Sequence, residues 1–224
     1  MRLLALLLML VARPLYGCDL ALLFAVDVSG SVDPGEYRIQ MHGLADALRD
    51  EQIGDALVAG GAALALVQWT GSSRQRLTVP WTRVTTFADL DAFATRVEED
   101  PRVWRNFSTA IGEALRVAAG AFDDAPPCAR RIIDISGDGV SNEGSAPVGV
   151  RAALERAGIT VNALVIEDAT AGDLTGYFFE NVIFGPGAFV VTADGYADYP
   201  ARMRQKLLRE VTMVVGDGGA IFRN

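Results

Sequence analysis

The sequence predicts an α/β fold: a doubly wound, mostly parallel six-stranded sheet with one antiparallel edge strand and helices on both faces. Three observations predict it. Short apolar runs alternate with helical patterns along the chain. The first run, Asp19 to Val28 (DLALLFAVDV), is apolar almost without interruption, as a central strand covered on both faces must be. A Gly71-Ser72-Ser73 turn joins two strand patterns too closely for a crossover helix, so that pair is a hairpin.

The elements follow in order. Pro34 reads as a first-turn helix residue with Ser31 or Asp33 as its cap, and the helix runs to about Ile53. Gly60-Gly61 ends the connection, and Ala62 to Trp69 is the second strand. Arg74 to Pro80 is its hairpin partner. Thr86 to Glu99 is helical, with Phe87, Leu90, Phe93 and Val97 at helical spacing. Thr109 to Phe122 is a helix, Arg130 to Ser136 a strand, Ala146 to Ala157 a helix and Ile159 to Ile166 a strand. Leu174 to Asn181 is a short helix or turn, and Ala188 to Thr192 the sixth strand. Ala197 to Thr212 closes the order as a helix with a basic outer face (Arg202, Arg204, Lys206, Arg209). No repeat or linker interrupts this order, so residues 18–224 read as a single domain.

Composition bounds the function. The chain has 224 residues, 50% apolar and 21% charged, which is globular and rich enough for a large core. The net charge is −8, and −10 from Cys18 onward because the first 17 residues carry two arginines and no acid. That balance argues against a nucleic-acid partner and suits a secreted protein or a cation site. Lys206 is the only lysine, against nineteen arginines, and reads as codon bias. Met1-Arg2, ten apolar residues from Leu3 to Ala12, then Arg13-Pro14 resemble a secretory signal peptide over residues 1–17. The run is short of the ~20 residues that span a bilayer, so no transmembrane segment is expected and the mature protein is expected to be soluble, in the periplasm or outside the cell.

In open α/β sheets ligands sit beyond the carboxyl ends of the strands. The first strand ends in Asp27-Val28-Ser29-Gly30-Ser31 and the fourth in Ser136-Gly137-Asp138-Gly139. Asn106-Phe107-Ser108-Thr109 leads into a helix between them. All of these donors are oxygens, which select Mg²⁺, Ca²⁺ or Mn²⁺ rather than zinc. Each alone reads as a helix cap; five at strand ends read as a metal site.

The Asp27-x-Ser29-x-Ser31 set, Thr109-Ala110-Ile111-Gly112 and Gly137-Asp138-Gly139 together resemble a von Willebrand factor type A domain, from about Asp19 to about Glu210. Phe107-Ser108 stands where that family often has glycines. The resemblance implies a strand order 3-2-1-4-5-6 and a metal-ion-dependent adhesion site. In it Ser29 and Ser31 bind the metal directly, Thr109 directly or through water, and Asp27 and Asp138 lie nearby. Three neutral hydroxyls leave Mg²⁺ electrophilic, so the implied partner is a protein presenting an Asp or Glu carboxylate. No catalytic role is implied. Two alternatives stand beside this reading: a metal-dependent hydrolase using the same acids, and a structural subunit of an envelope assembly with an empty site.

Other motifs fail. Ser29 stands where an aspartate phosphatase needs its second acid. Counting from Asp27, Val32 and Arg38 occupy the glycine and glutamate places of a calcium-binding hand. No dinucleotide or P-loop glycine motif occurs, and Gly216-Asp217-Gly218-Gly219 lacks the strand-helix context. A Ser-His-Asp triad would need His42, which reads as a helix-surface residue beside Met41 and Gly43. Asp134, an acid inside an apolar strand, is expected to pair with an arginine or cap a neighbour. Trp69, Trp81 and Trp104 read as packing residues, with a partner surface as the second reading for Trp104 and Arg105.

Cys18 has two readings. Leu15-Tyr16-Gly17-Cys18 resembles a lipoprotein cleavage box. The strand order implied by the resemblance instead puts Cys18 and Cys128 on neighbouring parallel strands, nine and ten residues before Asp27 and Asp138. A one-residue offset gives a Cα separation near 6 Å, within disulfide reach. The disulfide is the favoured reading.

Overall fold

The computed structural model describes residues 17–167 and 172–212. The expected signal peptide, apart from its last residue Gly17, and the glycine-rich tail at 216–219 lie outside these residues. β1 (Leu20–Asp27) is buried along its whole length. Its even residues, Leu22, Phe24 and Val26, enter one core, and its odd residues, Ala21, Leu23 and Ala25, enter the other. A strand with a core on each face has no room for polar alternation, which is why its sequence is so uniformly apolar. The sheet order is β3-β2-β1-β4-β5-β6. β2 (Ala63–Trp69), β4 (Arg130–Gly137), β5 (Ile159–Glu167) and β6 (Val190–Asp194) run parallel to β1, and β3 (Gln75–Arg83) pairs antiparallel with β2.

Four helices cover the even face: α1 (Pro34–Leu48), α2 (Glu51–Ala59), α3 (Phe87–Glu99) and α7 (Tyr199–Thr212). Three cover the other: α4 (Ile111–Ala121), α5 (Arg151–Ala157) and α6 (Leu174–Asn181). The expected helix from Pro34 to Ile53 is two helices. α1 stops at Leu48, and Asp50, in an extended conformation (φ −60°, ψ 135°), caps α2 by accepting from the backbone N–H groups of Gln52 and Ile53. A capping Asp followed by Glu51 is a start signal inside an otherwise continuous apolar pattern. β3 extends past Pro80 to Arg83, and β6 is shifted two residues later than expected. α5 is preceded by a 3₁₀ turn at Pro147–Val150, and α7 by one at Tyr196–Asp198.

Cys18 and Cys128 form a disulfide with a Cα separation of 4.6 Å. The pair is in register, not offset: Leu20 pairs with Arg130, and Asp27 falls opposite Gly137. The residue of difference lies at the other end, where Asp138 sits one step beyond Asp27.

Gly112 lets α4 approach the Ser145 segment. A Cβ there would lie 2.2 Å from the Ser145 carbonyl oxygen. Gly112→Ala is expected to destabilise the fold by about 1–3 kcal/mol, despite alanine's better helix propensity. A urea midpoint unchanged or raised in the variant would contradict this packing.

Candidate metal centre

Asp27 is the last residue of β1 and is completely buried, as is Ser29. One Asp27 carboxylate oxygen, Oδ1, accepts from the Ser29 backbone N–H at 2.7 Å. The other, Oδ2, is buried without any hydrogen-bond partner. Gly137 lies against it, and a Cβ on that glycine would stand 3.3 Å from Oδ2. Burial, and then the charge of Asp138, push the Asp27 carboxyl up to about 8, against the opposing Ser29 N–H.

Ser31 and Asp138 form the open rim above this floor. The Ser31 hydroxyl donates to Asp138 Oδ1 at 2.6 Å and lies 3.1 Å from the Ser29 hydroxyl. Asp138 Oδ2 accepts from the Tyr196 hydroxyl at 2.7 Å. Tyr196 comes from the turn before α7; its burial and the adjoining Asp138 carboxylate raise its hydroxyl far above the usual phenol range. Thr109 is nearly buried and its backbone is fixed by Asn142, whose Oδ1 accepts from the Thr109 N–H and whose own N–H donates to the Thr109 carbonyl, each at 2.9 Å. A Cβ on Gly139 would lie 3.8 Å from the Thr109 hydroxyl. Asp27, Ser29, Ser31 and Asp138 therefore form one contact chain. Thr109 stands beside it, with no side-chain hydrogen bond to the other four among the described residues.

These hydroxyls are not helix caps. Asp33 caps α1, in a reciprocal arrangement with Glu36, and leaves Ser31 uncommitted. α4 begins at Ile111, after Ala110, and its first N–H is accepted by the Ser141 hydroxyl at 3.2 Å, not by Thr109. The expectation that Thr109 opens that helix is thus corrected, and its hydroxyl has no capping duty.

The segment 101–110 lies over the β1 end. The Arg102 guanidinium donates to the carbonyls of Val28 and Ser29 at 3.0 and 2.8 Å. The Gly30 N–H donates to the Phe107 carbonyl at 2.7 Å. Asn106 takes a left-handed conformation (φ 60°), which asparagine tolerates, so the turn forms without glycine. Sequence reasoning missed Tyr196 and Arg102, because both reach the site from distant segments that carry no motif.

The remaining candidates sit elsewhere. His42 is exposed, with Nδ1 3.1 Å from a Glu98 carboxylate oxygen. Trp69 is fully buried, and Trp81 packs on Phe122. Trp104 packs partly on the core. Asp134 meets Lys206, not an arginine: the ammonium lies 2.5 Å from Asp134 Oδ1 and 2.7 Å from Glu210 Oε1, with all three side chains fully buried. Lys206 is thus no part of a basic outer face, and its identity has a structural reason. Its compact ammonium is a point charge shared by two buried carboxylates. A cavity of about 690 Å³ lies at the amino ends of β4 and β5 beside Arg130, Thr160 and Asn162, at the opposite end of the sheet from the Asp27–Asp138 cluster.

No curated protein matches the sequence. Solved structures match its fold. One is proximal thread matrix protein 1 from the mussel byssus, at 18% identity and TM-score 0.64, covering 87% of this chain and 47% of that one. A second structure of that protein, described as having a zinc-occupied MIDAS motif, matches at 15% identity and TM-score 0.62, with 87% and 46% covered. A von Willebrand factor type A protein from Catenulispora acidiphila matches at 16% identity and TM-score 0.55, with 87% and 43% covered. The chain thus spans less than half the length of these structures. The sequence model of the family described as "Protein of unknown function (DUF1194)" matches residues 17–215: the chain belongs to that family and has the von Willebrand factor type A fold.

Proposed function

We propose that this domain is a protein-binding module that captures a partner's carboxylate through a divalent cation held by Ser29, Ser31, Thr109, Asp27 and Asp138. The observation that carries the reading is the Asp27 Oδ2 atom, buried and unpartnered beside hydroxyls that cap nothing. A buried carboxylate oxygen without a partner costs stability, and a cation is the ligand that relieves it. All donors are hard oxygens, which favours Mg²⁺, with Mn²⁺ and Ca²⁺ behind it. Zn²⁺ belongs in the test, because a structural neighbour carries it in its own motif. Bound there, the cation supplies a positive centre with an open coordination position for an acidic side chain.

The chain's own residues do the positioning. Asp27 and Ser29 form a buried floor, and Arg102 holds the backbone between them by its two carbonyl bonds. Ser31 and Asp138 face solvent, so the open side of the site is the side a partner reaches. We propose binding without catalysis. His42, the only histidine, is engaged with Glu98 about two helical turns along α1 from the site, and the acids at the site, Asp27 and Asp138, are assigned to the cation. We place the protein in the periplasm or outside the cell. The disulfide supports an oxidising compartment, and it occupies the thiol that lipidation of Cys18 would need. No helix among the described residues is long and apolar enough to cross a membrane.

Calorimetric titration with Mg²⁺, Mn²⁺, Ca²⁺ and Zn²⁺ tests the reading, with Asp27→Asn as control. Saturable one-site binding is expected, weakened at least tenfold in the variant. The metal-free variant is expected to be more stable than the parent by about 1 kcal/mol, the signature of a residue kept for function at the fold's expense. Equal metal binding by both proteins would remove Asp27 from the site. No heat with any of the four ions would overturn the metal reading.

A further inference from the structure

The rim of the site is electrically lopsided. On one side, the segment 101–107, which bonds to the Ser29–Ser31 loop, carries Arg105 and is met by Arg74 of the β2–β3 turn and Arg76 at the start of β3. The connection is direct: Phe107 accepts from the Gly30 N–H, and the Arg74 guanidinium lies 3.7 Å from the Phe107 ring centroid. Arg76 lies 5.9 Å from the Trp104 ring centroid. Arg105 and Arg76 are exposed and Arg74 half-buried, and none makes an ion pair among the described residues. Glu143, whose carboxyl is held below its usual range chiefly by the Ser72 hydroxyl and also by Arg74, is the acid nearest this group. The first turn of α1 presents Asp33 and Glu36, and Glu36 lies toward Tyr196 and Asp138: the charges of Glu36 and Asp138 both act on the Tyr196 hydroxyl.

In a chain of net charge −8, three arginines outside any ion pair, with Glu143 near Arg74 as their one acidic neighbour named by the structure, leave room for acids from outside beside the proposed carboxylate-binding site. Two of the three stand against aromatic rings. A stacked guanidinium loses little further freedom on binding and keeps its edge free to donate two parallel bonds to a carboxylate.

We propose that the partner is an acid-rich peptide segment: one carboxylate enters the metal site, and its neighbouring acids lie across Arg74, Arg76 and Arg105, away from Asp33 and Glu36. This rests on the carboxylate-capturing reading above and adds the composition and direction of the segment. A segment with a single acid would use the metal position and leave the arginines idle. One with a basic flank on that side would be repelled.

Two probe peptides test this in Mg²⁺ buffer by fluorescence anisotropy: one with a single Asp in a Gly-Ser background, one with four consecutive acids in the same background. The comparison is made for the parent and for Arg74→Gln/Arg76→Gln/Arg105→Gln, whose Mg²⁺ affinity is expected to be unchanged. The parent is expected to bind the acid-rich peptide about tenfold tighter, as three exposed ion pairs would together supply. That preference should fall with added salt and disappear in the triple variant. Equal binding of both peptides by the parent, or a preference that survives the triple substitution, overturns the arginine rim and leaves the metal reading standing. Arginine-dependent binding of the acid-rich peptide that persists undiminished in chelator supports the rim and overturns the metal-directed carboxylate. Failure of both peptides at millimolar concentration overturns both.

Discussion

Lys206→Met is expected to destabilise the protein by about 3–5 kcal/mol at pH 8, because it leaves two fully buried carboxylates with no cation between them. The cost should depend on pH with a definite sign. Burial, and then Glu210, push the Asp134 carboxyl up to about 7, against the opposing pull of Lys206. A carboxyl whose folded value lies above its unfolded one binds its proton more tightly when folded. Its favourable contribution is therefore complete below about 4 and is lost as pH rises through about 7. Without the ammonium the upward push is unopposed, so the variant should be close to the parent at pH 5 and fall away from it between pH 6 and 8. Urea denaturation across that range measures it. Replacing the whole triad (Asp134→Leu, Lys206→Met, Glu210→Gln) should recover most of the loss. The Asn162 amide now donates to Glu210 at 2.8 Å, and the carbonyl of the introduced glutamine can still accept that bond. A Lys206→Met cost that does not change with pH would mean that lost packing, not unpaired charge, is responsible.

Removing the disulfide is expected to cost a similar amount. Cys18 and Cys128 are 110 residues apart, and closing a loop of that length removes about 4–5 kcal/mol of chain entropy from the unfolded state. For a chain of this size that corresponds to a fall of roughly 10–15 °C in Tm on Cys18→Ala/Cys128→Ala substitution. The native contacts around the bridge change little, so metal titration of the variant at about 20 °C should match the parent. A Tm shift below about 3 °C would show that the unfolded chain already keeps these strands together.

Much of the architecture was legible because the central strands are buried on both faces. Continuous apolar runs such as Leu20–Val26 and Ile132–Ile135 mark such strands, interrupted only by Asp134. The hairpin was legible from its turn residues. The site was legible as a set of strand-end residues, because parallel topology sends all those ends to one edge. Helix boundaries were less so: the Asp50 cap is a two-residue signal within a longer apolar periodicity. The place of Lys206 is obscured because Arg202, Arg204 and Arg209 surround it in sequence. The stripe Tyr199, Met203 and Leu207 continues through positions 206 and 210, so Lys206 and Glu210 lie on the buried face. An acid within an apolar strand pointed to a partner, an arginine or a neighbour to be capped, but nothing in the pattern singled out Lys206 among twenty basic residues. Tyr196 and Arg102 were beyond reach, since only tertiary geometry brings them to Asp138 and to the Ser29 carbonyl.

The disulfide also has a mechanical meaning. β1 and β4 are adjacent, and each carries one site acid at its carboxyl end; the bridge joins their opposite ends, about 30 Å away at ~3.3 Å per residue. In the proposed partner-bound state, a load applied at Asp27 and Asp138 would run lengthwise down two strands riveted together at the far end. The two strands cannot separate completely, and the chain between Cys18 and Cys128 cannot be extended by tension applied outside the bridge. The rivet is a covalent stop at that end, where a noncovalent strand pair would come apart entirely.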